Sequence, residues 1–140
     1  MSVDFFDSNI FIYLFDDAAP AKSDIAQALT RTGLETKTAC VSFQVVQETL
    51  NVLTRKLATP ATPAHTQEFL ERMLVPMWRV MPSVKLYSDA LALKARLGFS
   101  FYDSLIVAAA LEAGCKRLLT EDMQHGQRID GLRIENPFKA

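Results

Sequence analysis

The stretch "VDFFDSNIFIYLF", Val3–Phe15, decides the fold. A short apolar run ends in a carboxylate, Asp7, and the chain resumes at once with a second apolar segment. Val3–Phe6 reads as a strand and Ser8–Phe15 as one or two helical turns, so Asp7 stands at a strand-to-helix turn. The pattern recurs near the other end, where "CKRLLTED" runs a strand-like segment into Glu121 and Asp122. Strands that feed helices in this way pack as a parallel sheet covered on both faces.

Working outward, "KTACVS" (37–42), "WRVMP" (78–82) and "LRIE" (132–135) bring the predicted strands to five. Between them, Asp24–Thr32 places Ile25, Ala28 and Leu29 at helical spacing, with Gly33 as the expected C-cap. Phe43–Leu57 carries Phe43, Val46, Leu50, Leu53 and Leu57 on one helical stripe. Gln67–Met77 reads as a helix stopped by Pro76, and Val84–Leu97 as an amphipathic helix through Leu86, Ala90, Leu93 and Leu97 that ends at Gly98. Phe101–Gly114 is apolar on nearly every face and is expected inside the fold. The proline-bearing segment 58–66 is the clearest loop, too short to separate two domains, so residues 1–140 are expected to form one α/β domain.

Composition narrows the function. The chain is 49% hydrophobic, and its net charge of −1 excludes a protein that holds nucleic acid by overall basicity. A polyanionic partner would need a local patch or a metal. The longest apolar run, Leu105–Leu111, is far below the roughly 20 residues of a bilayer span. Asp4 and Asp7 stand where a signal peptide would be basic and then apolar, so a cytoplasmic location without membrane contact is expected. Cys40 and Cys115 lie in or beside apolar runs without CxxC spacing and read as buried, reduced thiols. Phosphate-loop, dinucleotide and nucleophile-elbow motifs are absent from the sequence.

What remains is acids. Asp7 can cap a helix or serve a site. Ser100 and Asp103 have capping-box spacing, yet Asp103 also shares a stripe with Ile106, Val107 and Ala110, where a carboxylate needs a partner. Asp122 can be a turn acid, and Glu48 lies on the polar stripe of its helix with Gln44, Asn51 and Arg55. Carboxylates gathered at the carboxyl ends of parallel strands, where ligands bind such sheets, repel one another unless a hard divalent cation neutralises them. An acidic pocket of that kind binds a polyanion through the metal.

These four acids, in the order Asp7, Glu48, Asp103, Asp122, stand within "FFDSNIFIYLF", "VSFQVVQETLNVLTRK" and "SFYDSLIVAAALEAGCKRLLTEDMQHG". In that order and spacing the chain resembles PIN-domain proteins, similar to the VapC toxins of bacterial toxin–antitoxin pairs, essentially end to end. The resemblance implies a three-layer α/β/α sandwich with a mostly parallel five-stranded sheet and a metal-dependent endoribonuclease. It implies Asp7 and Asp103 as direct Mg²⁺ or Mn²⁺ ligands, with Glu48 and Asp122 completing the pocket directly or through water. Ser8 stands where the family usually has Thr and keeps the hydroxyl; Asn9 and Thr120 match polar positions that support the site. RNA as substrate, a cognate VapB-like antitoxin and a homodimer follow from the same resemblance, and Arg55, Lys56, Lys94 and Arg96 are candidate backbone contacts. A PIN-like module that binds RNA or protein without cutting it is the alternative. An aspartyl-phosphate enzyme is disfavoured, because Asn9 stands two residues after Asp7 where such enzymes usually place a second Asp.

Overall fold

The computed structural model describes residues 2–139 and builds a six-stranded sheet in the order β3-β2-β1-β4-β6-β5. Its strands are β1 (Asp4–Phe6), β2 (Ala39–Ser42), β3 (Trp78–Val80), β4 (Arg117–Leu119), β5 (Arg128–Ile129) and β6 (Leu132–Glu135). All pairings are parallel except that of β5 with β6. That last strand corrects the expected count of five. Asp130 and Gly131 both adopt positive φ between β5 and β6, the backbone that a two-residue hairpin turn requires. With only two residues, β5 has no readable alternation of its own.

The helices are α1 (Ser8–Ile12), α2 (Pro20–Thr36), α3 (Phe43–Asn51), α4 (Pro63–Phe69), α5 (Val75–Met77), α6 (Val84–Leu97) and α7 (Phe101–Glu112). Right-handed crossovers put α1 to α5 on one face of the sheet and α6 with α7 on the other. Seven consecutive α7 residues, Ser104–Ala110, are buried, as the all-apolar reading expected. The core joins Phe5, Phe6, Ile10 and Phe11 to Val41, Leu118, Leu119 and Ile134. Cys40 and Cys115 are both buried and unbridged. Among the described residues no helix is long and apolar enough to cross a membrane.

One helix reading is corrected. Gly33 does not end α2; it lies buried within it, and a Cβ there would stand 2.6 Å from the Ala39 Cβ and 3.4 Å from Phe6. Such a close approach lets small residues face the sheet, so Ala26, Thr30 and Gly33 are buried while Ile25 and Ala28 are exposed. Lys37, at φ 57°, caps the helix instead, its N–H donating to the Gly33 carbonyl. The helix that carries Pro76 stops at Met77, as expected. The turn Leu70–Leu74 widens so that the Val75 N–H reaches the Leu70 carbonyl, and Pro76 opens the final turn, α5, where its missing N–H costs nothing.

The site follows from strand order. Successive strands leave β1 toward β2 and β3, and the chain then crosses back to place β4 on the other side of β1. The carboxyl ends of β1 and β4 therefore flank the point where the order reverses, where open α/β sheets bind ligands.

Candidate active site

Phe6 pairs with Leu119, and the Asp7 N–H donates to the Leu119 carbonyl at 3.0 Å, so Asp7 and Thr120 leave the sheet side by side. Asp7 is buried and divides its carboxylate: Oδ1 accepts the Ser8 N–H at 2.7 Å as the cap of α1, and Oδ2 accepts the Thr120 hydroxyl at 2.7 Å. Cap and pocket are one residue. Ser8 contributes its backbone N–H to this arrangement.

Thr120 is fully buried, and its oxygen also accepts from the Asn9 amide at 3.3 Å and from the Asp122 N–H at 3.1 Å. The same Asn9 amide donates to Asp122 Oδ2 at 3.2 Å, and Asn9 Oδ1 accepts the Glu121 N–H at 3.4 Å. Asn9 and Thr120 thus tie the loop after β4 to the start of α1 and hold Asp122 beside Asp7. Glu121, adjacent in sequence to Asp122, is drawn away. It pairs with Lys22 at 2.6 Å and accepts the Tyr13 hydroxyl. Burial alone would raise the Glu121 carboxyl, but Lys22 and Tyr13 hold it below the ordinary carboxylate value.

Glu48 comes from α3. Its stripe divides: Gln44 is buried, whereas Asn51 and Arg55 face solvent. The Gln44 amide nitrogen donates to the Tyr102 carbonyl at 3.2 Å, which fastens the start of α3 to the start of α7, and the Gln44 side chain favours the charged form of Glu48. Gln44 is a supporting residue that composition does not reveal; its only signal is a position one turn before Glu48. Asp103 stands in the first turn of α7, where Ser100 Oγ accepts its N–H at 3.1 Å. The cap of α7 is therefore Ser100, and among the described residues nothing hydrogen-bonds the half-buried Asp103 carboxylate.

The four acids sense one another. Burial raises the Asp7 carboxyl above its ordinary value, Thr120 and Ser8 partly offset this, and the charges of Asp122 and Asp103 push it up further. Glu48 is exposed, yet partial desolvation and then the charge of Asp7 raise its carboxyl, against a contribution from Gln44, with Asp103 and Asp122 adding to the rise. Among the described residues none of the four is in an ion pair. Nor, among those residues, do three acids, histidines or cysteines close into a ready-made metal cluster. They lie close enough to repel, without a cation of the protein's own.

The candidate backbone contacts separate. Arg96 is engaged by Asp130 at 2.7 Å and Lys94 donates to the Phe99 carbonyl at 3.5 Å, whereas Arg55 and Lys56 are exposed on the turn that extends α3. His125, just beyond Asp122, accepts the Asn136 N–H at 3.0 Å through Nδ1 and serves the structure.

Comparison with solved structures finds the same fold in several bacterial proteins. A toxin–antitoxin complex from Klebsiella pneumoniae superposes with a TM-score of 0.65 at 21% identity, over 98% of this chain and 99% of that one. VapC20 of Mycobacterium tuberculosis, a sarcin–ricin loop cleaving toxin, gives 0.59 at 19% identity over 85% and 91%. FitAcB from Neisseria gonorrhoeae gives 0.66 at 17% identity over 99% and 100%. At these identities the likeness is one of fold. No curated protein matches the chain by sequence. The PIN domain family model matches residues 5–130, nearly the whole chain, and this protein belongs to the PIN-domain family.

Proposed function

We propose that this protein is a divalent-metal-dependent endoribonuclease and the toxin of a type II toxin–antitoxin pair. The observation that carries the reading is that Asp103 and Asp122 add to the rise of both the Asp7 and the Glu48 carboxyl near the switch point of the sheet, with no protein cation paired to any of the four among the described residues. An all-oxygen set of uncompensated carboxylates fits a hard cation such as Mg²⁺ or Mn²⁺. Asp7 and Asp103 would hold it directly, with Glu48 and Asp122 as ligands or through water. Such an ion lowers the pKa of a bound water and stabilises charge on a phosphate.

The chain's own residues do the positioning. Thr120 and the Ser8 N–H orient the two Asp7 oxygens, Asn9 holds Asp122, and Gln44 favours the charged form of Glu48. A raised carboxyl at Glu48 is suited to accept a proton from an attacking water. Hydrolysis of this kind leaves 5′-phosphate and 3′-hydroxyl ends. The fold shared with a toxin–antitoxin complex supports a cognate antitoxin as partner, and a homodimer acting in the cytoplasm belongs to the same reading.

The test is RNA cleavage. Parent protein with Mn²⁺ or Mg²⁺ should cut, EDTA should stop it, and Asp7→Asn or Asp103→Asn should reduce the rate by at least about 100-fold while the far-UV spectrum is retained. Undiminished cleavage in EDTA, or 2′,3′-cyclic phosphate ends, contradicts the mechanism. RNA binding without any cleavage would favour the non-catalytic module.

A further inference from the structure

Tyr102 is 68% exposed, although it is a large aromatic residue directly before Asp103. It is not loose. Gln44 holds its carbonyl at 3.2 Å, and its ring packs edge-on to Phe101, with centroids 5.6 Å apart at 68°. Phe101 is in turn stacked on Tyr87 at 19°, and Tyr87 meets Phe43 edge-on. A line of aromatic rings from α3, α6 and α7 therefore ends in one ring that faces solvent, on the residue directly before Asp103.

The setting decides what such a ring can bind. A metal held by the acids would attract the cleaved phosphate, but of the cationic side chains expected to hold the flanking backbone, Arg96 is neutralised by Asp130. A group whose attraction does not depend on charge adds affinity where those cations are few. A nucleobase is neutral and has a flat π-face, and an aromatic ring braced in advance loses little freedom when a base settles on it. We infer that Tyr102 is a stacking platform for a base of single-stranded RNA next to the cleaved phosphate, a substrate-contacting residue that sets how the strand enters the site. The inference rests on the endoribonuclease reading. It goes beyond that reading in naming the residue that grips the strand.

The test uses the full chain and a fluorescein-labelled, mixed-sequence 20-nucleotide single-stranded RNA. Cleavage is followed with Mn²⁺, and binding is measured separately in the Asp7→Asn background. Tyr102→Ala should raise KM and Kd by about 5- to 150-fold, with the change falling on KM rather than kcat. Tyr102→Phe and Tyr102→Trp should return both to within about threefold of the parent, because every aromatic ring supplies a stacking face. The defect should persist as salt rises, since stacking releases few counterions. Equal Kd for parent and Tyr102→Ala overturns the inference while cleavage by the parent keeps the nuclease reading. A Tyr102→Ala protein that changes only its oligomeric mass by light scattering, with unchanged Kd, also overturns it and makes the ring a contact between copies. A parent that binds this RNA through Tyr102 but never cuts it supports the platform and removes the nuclease. No binding and no cleavage removes both.

Discussion

Asp103 shows how one residue admits two explanations with opposite signs. If its carboxylate were the cap of α7, Asp103→Asn would weaken the helix. The cap is instead Ser100 Oγ, and Asp103 adds negative charge to Asp7 and Glu48. Asp103→Asn is therefore expected to raise the melting temperature in EDTA and to shrink the further rise on adding Mn²⁺. Ser100→Ala should do the reverse: lose about 1 kcal/mol, roughly 3–5 °C for a chain of this size, with the Mn²⁺ response unchanged. Thermal unfolding of both variants with EDTA and with Mn²⁺ separates the roles. A destabilised Asp103→Asn with an intact metal response would return Asp103 to the helix cap.

Among the elements, α2 is the one whose fit to the sheet tolerates least change. Gly33 lets the helix approach β2 so closely that a methyl group would meet the Ala39 Cβ at 2.6 Å, a distance that real Cβ atoms essentially never show. Ala is the better helix former, so an exposed Gly→Ala replacement would stabilise a helix by up to about 1 kcal/mol. Here overpacking opposes that gain, because neither the β2 backbone nor Phe6 can move without disturbing the core, and forced insertion costs about 1–3 kcal/mol. Gly33→Ala is expected to be destabilising by about 1–2 kcal/mol net, read as a lower denaturant midpoint at unchanged slope. A variant as stable as the parent would mean that α2 can withdraw from the sheet freely.

Taken as a whole, the molecule holds carboxyls in the native state that give up protons later than in the unfolded chain. Asp7 and Glu48 are both raised, first by desolvation, from ordinary values of 3.8 and 4.5. Between those values and the raised ones, the native state binds more protons than the unfolded state. The stability of the metal-free protein therefore falls as pH rises through that window, and the loss is complete above the raised values. A metal that binds only the deprotonated native site should gain affinity over the same window. At free metal about 100 times the dissociation constant it should add about 2.7 kcal/mol, on the order of 5–10 °C. Melting curves between about pH 4 and 8, in EDTA and in Mn²⁺, should diverge as pH rises, and Asp7→Asn should flatten both. A pH-independent gap between the two curves would detach the metal from these carboxyls.

Local pattern alone determined the alternation of strands and helices, the burial of α7 and the placing of Asp7 and Asp122 after strands, because each depends on a period or a boundary within a few residues. The hairpin turn at Asp130 and Gly131 went unread, because β5 was too short to announce itself. Tertiary structure decided the rest. Periodicity sorts residues around a helix but does not say what covers each face, and that is why Ile25 is exposed while Gly33 is buried. The partner of Gln44 is a carbonyl 58 residues away in sequence, and Lys22, 99 residues from Glu121, draws that acid aside and leaves Asp122 beside Asp7. Contacts of that span form only when separate elements close on one another. The reach of local pattern therefore ends where the choice among neighbouring acids, and the bracing of Tyr102, begins.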